Sequence, residues 1–488
     1  MTQIRFGYYL ALPVVVVNAV VVGETVRWLD LDRLVNSVRS IEAYQVIAVL
    51  LLVSILFLPL IPPVRENNVV ATGEQVRPHG EAMIWEESNH WMRENTPQPG
   101  AWAGANNTDD LRYFGSYGIP EGNDFAYPEG SYGVMSWWDY GHLITTQGKR
   151  IPVANPFQRN APTASTFLTA ESEERAELVL DAHATGANVA EKSNEELRSI
   201  VEGNESHEDV RYVMIDHAMV SGKFPAITVW SGPDYSHYRT PPDFHPGETV
   251  MAEDIRDRLD NMPYRNTTVY RLYLDDAFGM EHYRLIHETE NVRVPIVSYA
   301  ALQNGQLATL GDGSPAVVLN ELVRNRGMLQ QIQSSDNYLL LDFNQIAGVK
   351  SFERVPGATI TGSTDDQELI NSEDAVVLAD VDMQTNAGRN FTYRQRTKLN
   401  DDGSFEITVP YATNNELGVE DGYTNESVLA EGSYRVAITT PTENGFTPHS
   451  MAQPEVPETA VVNGETIEVE LQSPDEFMEP QVVPNESE

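Results

Sequence analysis

The sequence predicts a membrane-anchored α/β protein: two transmembrane helices, then an extracellular mixed α/β domain, then a carboxy-terminal antiparallel β-sandwich. Three observations predict it. Two apolar runs open the chain, at residues 7–23 (GYYLALPVVVVNAVVVG) and 43–62 (AYQVIAVLLLVSILFLPLIP). Helical and strand-like patterns then share the stretch up to residue 348, as layered α/β domains require. From residue 349 onward, short alternating runs separated by turn residues take over, the pattern of paired β-sheets.

The second apolar run approaches the ~20 residues that cross a bilayer, and the first is slightly short. A cleaved signal peptide is the competing reading of the first. Arg5 as its only preceding basic side chain, Asn18 inside it, and a second run close behind all weaken that reading. The connecting loop carries Arg27, Arg33 and Arg39, which the positive-inside rule places in the cytoplasm. The chain start and everything after Pro63 then lie outside the cell. The expected divisions are 1–65 for the two membrane helices, 66–348 for the α/β domain, 349–471 for the sandwich and 472–488 for an acidic disordered tail.

The 488 residues carry 72 acidic against 32 basic side chains, a net charge of −40. Such a surface repels itself in dilute buffer and is screened at high salt. The excess runs along the whole chain, as in proteins of salt-accumulating halophiles, and it excludes nucleic acid as a partner. There is no cysteine, so disulfides and thiolate metal sites are excluded. The eleven histidines are scattered. Asp139 with His142, and His237 with His245, are the only pairings to weigh as metal sites, and both are assigned to packing or surface.

Residues 81–97 place Met83, Ile84, Trp91 and Met92 on a loosely helical face stopped by Pro97. A Gly-, Asn- and Pro-rich loop follows at 106–133. Helices are expected at 163–182 and at 193–201, the latter opened by Ser193 and Glu196 as a capping box. Residues 210–215 (VRYVMI) read as a buried strand, 216–223 as a helical stretch, and 279–288 as helix-like. Strands are expected at 357–362, 375–383, 390–397, 404–411 and 432–440. Their arrangement resembles carboxypeptidase-regulatory-like accessory domains.

One stretch stands apart: Ser136-Trp137-Trp138-Asp139-Tyr140-Gly141-His142. A Ser or Thr hydroxyl has one proton to donate and two lone pairs to fill. Two indole N–H donors and one carboxylate acceptor match that inventory. A buried indole must also find a partner for its N–H. The stretch is therefore either a hydroxyl pocket walled by aromatic rings or a structural turn with two core tryptophans.

Trp137-Trp138-Asp139-Tyr140-Gly141 resembles the signature of the catalytic subunit of oligosaccharyltransferases, which N-glycosylate asparagine. Residues 148–158 (GKRIPVANPFQ) resemble the archaeal, AglB-type branch, so the chain is identified as similar to the carboxy-terminal part of such an enzyme. The resemblance implies that Trp137, Trp138 and Asp139 hold the Ser or Thr of an acceptor Asn-X-Ser/Thr sequon. It implies that Asp216, Met219 and Lys223 form the second sequon-binding motif, with Met219 against the Thr methyl; taken alone, they read as an Asp cap, a core Met and a solvated Lys. Residues 5–13 (RFGYYLALP) resemble the start of the family's penultimate membrane helix, which implies that Arg5 contacts the lipid-linked phosphate; an ordinary interfacial anchor is the plainer reading. An arginine fork suits either task.

The implied reaction is transfer of an oligosaccharide from dolichyl phosphate or diphosphate to Asn. Its partners are the dolichol-linked oligosaccharide, the membrane, and extracellular sequon-bearing proteins such as surface-layer glycoproteins. The family's Mn²⁺ or Mg²⁺ and its catalytic carboxylates belong to earlier membrane loops, so no catalytic or metal residue is assigned here, and the chain by itself is expected to bind acceptor without transferring glycan. The alternative is a non-catalytic, membrane-anchored peptide-binding or cell-surface protein. Six sequons, at Asn106, Asn204, Asn266, Asn390, Asn425 and Asn485, make the chain an expected acceptor at one site or more.

Overall fold

A computed structural model describes residues 5–28, isolated helical positions between 43 and 54, and residues 80–474 apart from 112–126, 204–209, 246, 247, 249, 252, 253, 324, 443 and 444. Arg33, Arg39, most of the second apolar run, the tail from 475, and the sequons at Asn204 and Asn485 lie outside the described residues, as does the Arg5 side chain. The chain divides into two units, residues 1–79 and 80–488.

In the first unit, helix α1 (Arg5–Trp28) covers the first apolar run and holds Pro13 within it. Val15, Val16, Val17, Val20 and Val21 are all more than half exposed. Among the described residues no helix is long and apolar enough to cross a membrane.

The second unit opens with α2 (Gly80–Asn95). Its buried face is Trp85, Ser88, Asn89 and Met92, spaced as one side of a helix requires. Met83, expected inward, is exposed. Strands β1 (Gly133–Met135) and β2 (Ile151–Pro152) follow.

Instead of one helix at 163–182 there are two, α3 (Ala161–Leu168) and α4 (Glu173–Ala184). The cause is local. Ser172 accepts from the Arg175 N–H and starts a new helix, while the carbonyl of Ala170 is claimed by the backbone N–H of Thr268. The capping box at α5 (Asn194–Gly203) is present: Ser193 N–H donates to Glu196 at 2.8 Å and Glu196 N–H donates back to Ser193 Oγ at 3.3 Å.

Strand β3 (Val210–Asp216) is almost wholly buried. The helical stretch expected at 216–223 is instead a series of turns, and helix begins only at α6 (Phe224–Thr228). After α7 (Thr268–Tyr273), residues 283–288, expected helical, form strand β4 (Tyr283–Glu288), every residue of it buried. Both faces of that strand are covered, so no polar–apolar alternation marked it.

Strands β5 (Arg293–Gln303), β6 (Gln306–Leu307), β7 (Val317–Leu322) and β8 (Tyr338–Ala347) make a four-stranded antiparallel sheet. It has its own small core of Phe244, Val250, Ile255, Leu259, Met262, Ala300, Leu307 and Val317. Strand β9 (Val349–Arg354) then returns to the first sheet, whose order is β2-β1-β3-β9-β4. Its first three strands are parallel neighbours, while β9 is antiparallel to both β3 and β4. Residue 349 therefore lies in the α/β sheet and not at the start of the sandwich.

The remaining strands are β10 (Ala358–Ser363), β11 (Val376–Gln384), β12 (Asn390–Lys398), β13 (Ser404–Val409), β14 (Leu429–Ala430), β15 (Arg435–Thr442), β16 (Gly445–Ala452) and β17 (Thr466–Glu468). They form a three-stranded sheet, β13-β10-β17, and a five-stranded sheet, β12-β11-β15-β16 with β14 on β11. Ile360 and Phe405 of the first sheet share one core with Val377, Val436 and Ile438 of the second, and with Leu285 and Phe352 of the α/β sheet. The join is polar as well. Arg284 is fully buried and pairs with Glu353, Glu426 and Glu458.

Candidate acceptor-binding site

The tryptophan stretch sits where β1 ends. Trp137 is extended, and the backbone then closes a 3₁₀ turn over Trp138–Tyr140, with Tyr140 N–H donating to the Trp137 carbonyl at 3.0 Å. Gly141 is required at the next position. A Cβ there would collide with the carbonyl oxygen of Ala154 and stand 2.7 Å from Asn155 Cα. That close approach of two backbones lays the residues after β2 against the turn.

Arg150 fastens the same turn to α2. It is 3% exposed, and its guanidinium donates to the carbonyls of Met92 (3.2 Å), Arg93 (3.1 Å) and Thr96 (2.7 Å) and to Thr96 Oγ1 (2.8 Å). The end of a helix leaves such carbonyls without partners, and a cation there also meets the negative end of the helix dipole.

The three motif side chains differ in exposure. Trp137 is buried, whereas Trp138 and Asp139 are half-buried and form a rim. The indole rings are tilted at 55° with centroids 6.2 Å apart. Among the described residues neither indole N–H has a protein acceptor, in contrast to Trp85, whose N–H donates to Asp216 at 3.1 Å. Lys223 Nζ lies 2.9 Å from Asp139 Oδ2, which leaves Oδ1 open. The rim thus presents two donors and one acceptor.

Behind the rim is a polar relay. Lys223 also donates to the Tyr140 hydroxyl at 2.7 Å, and that hydroxyl bonds to Asp216. Asp216 is fully buried and accepts from Trp85 and, at 3.0 Å, from the Met219 N–H. Burial pushes its carboxyl up, against the opposing pull of His217, Tyr140, Lys223 and Trp85. Trp85 stacks on Tyr140 with centroids 4.2 Å apart.

Two expected binding residues therefore stand one layer back. Asp216 and Met219 have no exposed surface. The Met219 sulfur is 3.8 Å from Ser136 Oγ, so its contact with an acceptor methyl is not available in this structure. Asp216 braces the turns at 217–223, and Met219 lies in the same buried core as Trp137. Tyr140, Trp85, Gly141 and Arg150, none of them assigned a role from sequence, hold the arrangement together. Only the spacing of Trp85, Ser88, Asn89 and Met92 on one helix face could have flagged Trp85.

His237 bonds Glu171 at 2.7 Å, and His245 is exposed. Among the described residues no three His, Asp or Glu side chains gather as ligands would, so these residues do not fit the divalent cation that the resemblance implies.

Residues 82–195 match the family model of the AglB core domain, and residues 357–467 match that of the archaeal glycosylation protein B long peripheral domain. Over these two stretches the chain is similar to the AglB family.

A curated relative, the dolichyl-monophosphooligosaccharide–protein glycotransferase AglB of Haloferax volcanii, is 33% identical over 90% of this chain and 44% of its own length. The chain thus spans less than half of that relative. Solved structures of the Archaeoglobus fulgidus oligosaccharyltransferase share the fold. The form with Zn and sulfate superposes with a TM-score of 0.51 at 23% identity, covering 87% of this chain and 50% of that one. Another form is tethered to an acceptor peptide containing the NVT sequon (TM-score 0.50, 21% identity, 92% and 50% covered). A third holds an inhibitory peptide and a dolichol-phosphate (TM-score 0.50, 22% identity, 93% and 49% covered).

Proposed function

We propose that this chain supplies the acceptor-recognition part of an oligosaccharyltransferase, which moves an oligosaccharide from a dolichyl phosphate or diphosphate carrier to the Asn of Asn-X-Ser/Thr sequons. The observation that carries the reading is the set of open valences at one rim: two indole N–H groups without protein partners beside a carboxylate with one oxygen free. An acceptor hydroxyl donates its proton to Asp139 Oδ1 and receives the N–H groups of Trp137 and Trp138 on its lone pairs. Lys223 fixes Asp139 from behind, and Tyr140 ties Lys223 to Asp216. Holding the +2 hydroxyl fixes the Asn two residues earlier, and positioning of this kind contributes several kcal/mol to a transfer step.

The same proposal takes the apolar runs 7–23 and 43–62 as membrane helices with residues 80–488 outside, and gives Arg5 to the carrier's phosphate. Two features support it: the exposed valine row of α1 and the net charge of −40, which suits a cell surface bathed in concentrated salt, with surface-layer glycoproteins among the acceptors. The dolichol-phosphate and NVT-peptide structures belong to a protein of the same fold, and the curated relative is named for the same transfer.

The test is a binding cycle on the full chain at high salt, with Asn-X-Thr and Asn-X-Val peptides, which differ by the hydroxyl. Thr should bind tighter than Val. Asp139→Ala should erase that preference, costing about 1.5–3 kcal/mol, or roughly ten-fold or more in affinity. Equal affinity of Asp139→Ala and wild type for the Thr peptide sinks the pocket assignment, leaving the tryptophans as core residues of a surface protein.

A further inference from the structure

Four of the six sequons lie within the described residues, and their Asn side chains are all exposed. Exposure of Asn does not separate them; the fate of the hydroxyl two residues on does. Any enzyme that reads Asn-X-Ser/Thr must take hold of that hydroxyl, so a hydroxyl already committed within the fold has to be withdrawn first.

At Asn266 the hydroxyl belongs to Thr268, which is 1% exposed. Its Oγ1 donates to the Ala170 carbonyl at 3.1 Å, its N–H donates to the same carbonyl at 2.8 Å, and it opens α7. At Asn425 the hydroxyl is that of Ser427, which donates to the Ile286 carbonyl at 2.8 Å. Asn425 is itself engaged, accepting from Val419 N–H at 3.1 Å, and its backbone N–H donates to the Asn95 carbonyl at 2.9 Å. At Asn390 the sequon is strand: Asn390 and Thr392 pair with Gln384 and Asp382 across the β11–β12 ladder, and Thr392 Oγ1 donates to Asp382 at 2.7 Å.

Asn106 is different. It lies between two short 3₁₀ turns, Trp102–Gly104 and Thr108–Leu111, in neither helix nor strand. The residue after it is anchored: Asn107 N–H donates to the Gly100 carbonyl at 2.9 Å, and Asn107 Nδ2 donates to the Glu129 carbonyl at 2.9 Å. The Asn106 amide and the Thr108 hydroxyl have no partner among the described residues. An anchored middle residue with both recognition groups unengaged is what a folded acceptor has to offer.

We propose that Asn106 is the described sequon at which the folded chain itself accepts an N-linked glycan, and that the fold withholds Asn266, Asn390 and Asn425. In cells this rests on the outward placement of residues 80–488 in the reading above; the preference among sites rests on the fold alone. Withdrawing a bonded hydroxyl, buried at Thr268, half-buried at Ser427 and exposed but locked into a strand at Thr392, reduces occupancy by roughly ten-fold or more relative to Asn106.

The experiment has two arms. In the first, the full chain is purified folded from cells that lack N-glycosylation and incubated at high salt with glycosylating haloarchaeal membranes. Short peptides spanning each of the four sequons are incubated in parallel, and occupancy is read by glycopeptide mass spectrometry. The expected result is glycan on all four peptides, but on the folded chain at Asn106 almost exclusively, with the mass shift lost in Asn106→Gln. Glycan on Asn266, Asn390 or Asn425 of the folded chain at a level equal to Asn106 overturns the proposal. So does an unmodified Asn106 in the folded chain when its peptide is accepted. The second arm maps the chain from glycosylating cells. Glycan at Asn106 in the first arm and none anywhere in the second upholds the site and overturns the outward placement instead.

Discussion

The rim at Asp139 and the cluster at Arg284 are both built from an acidic group and a single cation, and they are opposites. Asp139 and Lys223 are each only partly exposed, at 31% and 22%, and they leave a carboxylate oxygen and two indole N–H groups unused. Arg284 is wholly buried, and its guanidinium is divided among Glu353, Glu426 and Glu458. One arrangement leaves valences unused among the described residues. The other is closed to solvent and joins the α/β sheet to the sandwich. The difference teaches where to look for binding in a strongly acidic protein: at ion pairs that are incomplete, rather than at the densest charge.

The comparison breaks most sharply at Arg284. Arg284→Ala leaves three carboxylates buried without their cation, and removing one partner of a buried pair typically costs about 3–5 kcal/mol. The denaturant midpoint at high salt should fall by that much. A midpoint unchanged within about 0.5 kcal/mol would mean the cluster is no part of the join.

A second buried group sharpens it through pH. Burial alone would raise the Glu288 carboxyl, but the Arg389 guanidinium, 3.0 Å away, and the Lys350 ammonium outweigh it and hold the group at about 2. Its ordinary value is 4.5, so the folded state binds its proton more weakly than the unfolded chain does. The contribution is therefore full above pH 4.5 and lost as pH falls from there toward 2. It amounts to roughly 3 kcal/mol at 1.36 kcal/mol per unit. Glu288→Gln should flatten that acid limb of stability. An identical limb in the variant assigns it to other carboxylates.

The smallest effect belongs to the rim. Tyr140→Phe removes the hydroxyl between Lys223 and Asp216 while keeping the ring stacked on Trp85. Thr-peptide affinity should drop by about 0.5–1.5 kcal/mol with the denaturant midpoint nearly unmoved, and a loss confined to stability would make Tyr140 a core residue only.

Much of the fold was legible where one physical rule governed a segment. The extent of α2, the capping box at Ser193 and the five expected sandwich strands all emerged within a few residues, because their partners are near in sequence or their alternation is one-sided. Legibility failed where both faces are covered, as in β4, or where a cap interrupts a long apolar pattern, as Ser172 does. The four-stranded sheet at 293–347 was not read at all. In the site, Trp137, Trp138 and Asp139 stood out through the hydroxyl inventory. Trp85 did not, since its bond to Asp216 crosses 131 positions, and neither did Gly141, whose meaning lies in a backbone thirteen residues on. Exposure was likewise invisible, and it separates Lys223 from Asp216 and Met219.

One consequence is mechanical. Helix α2 is secured near its start by Trp85 to Asp216, at mid-length by Asn89 to Gln147, and at its end by Arg150. Sixteen residues make a rod of about 24 Å, and every fastening leads to the tryptophan turn or the segment behind it. Such a rod transmits load without a hinge. A displacement applied at Gly80, where the second unit begins, arrives at Asp139 as a rigid shift of the whole rim, so whatever seats the start of this helix also sets where that rim stands.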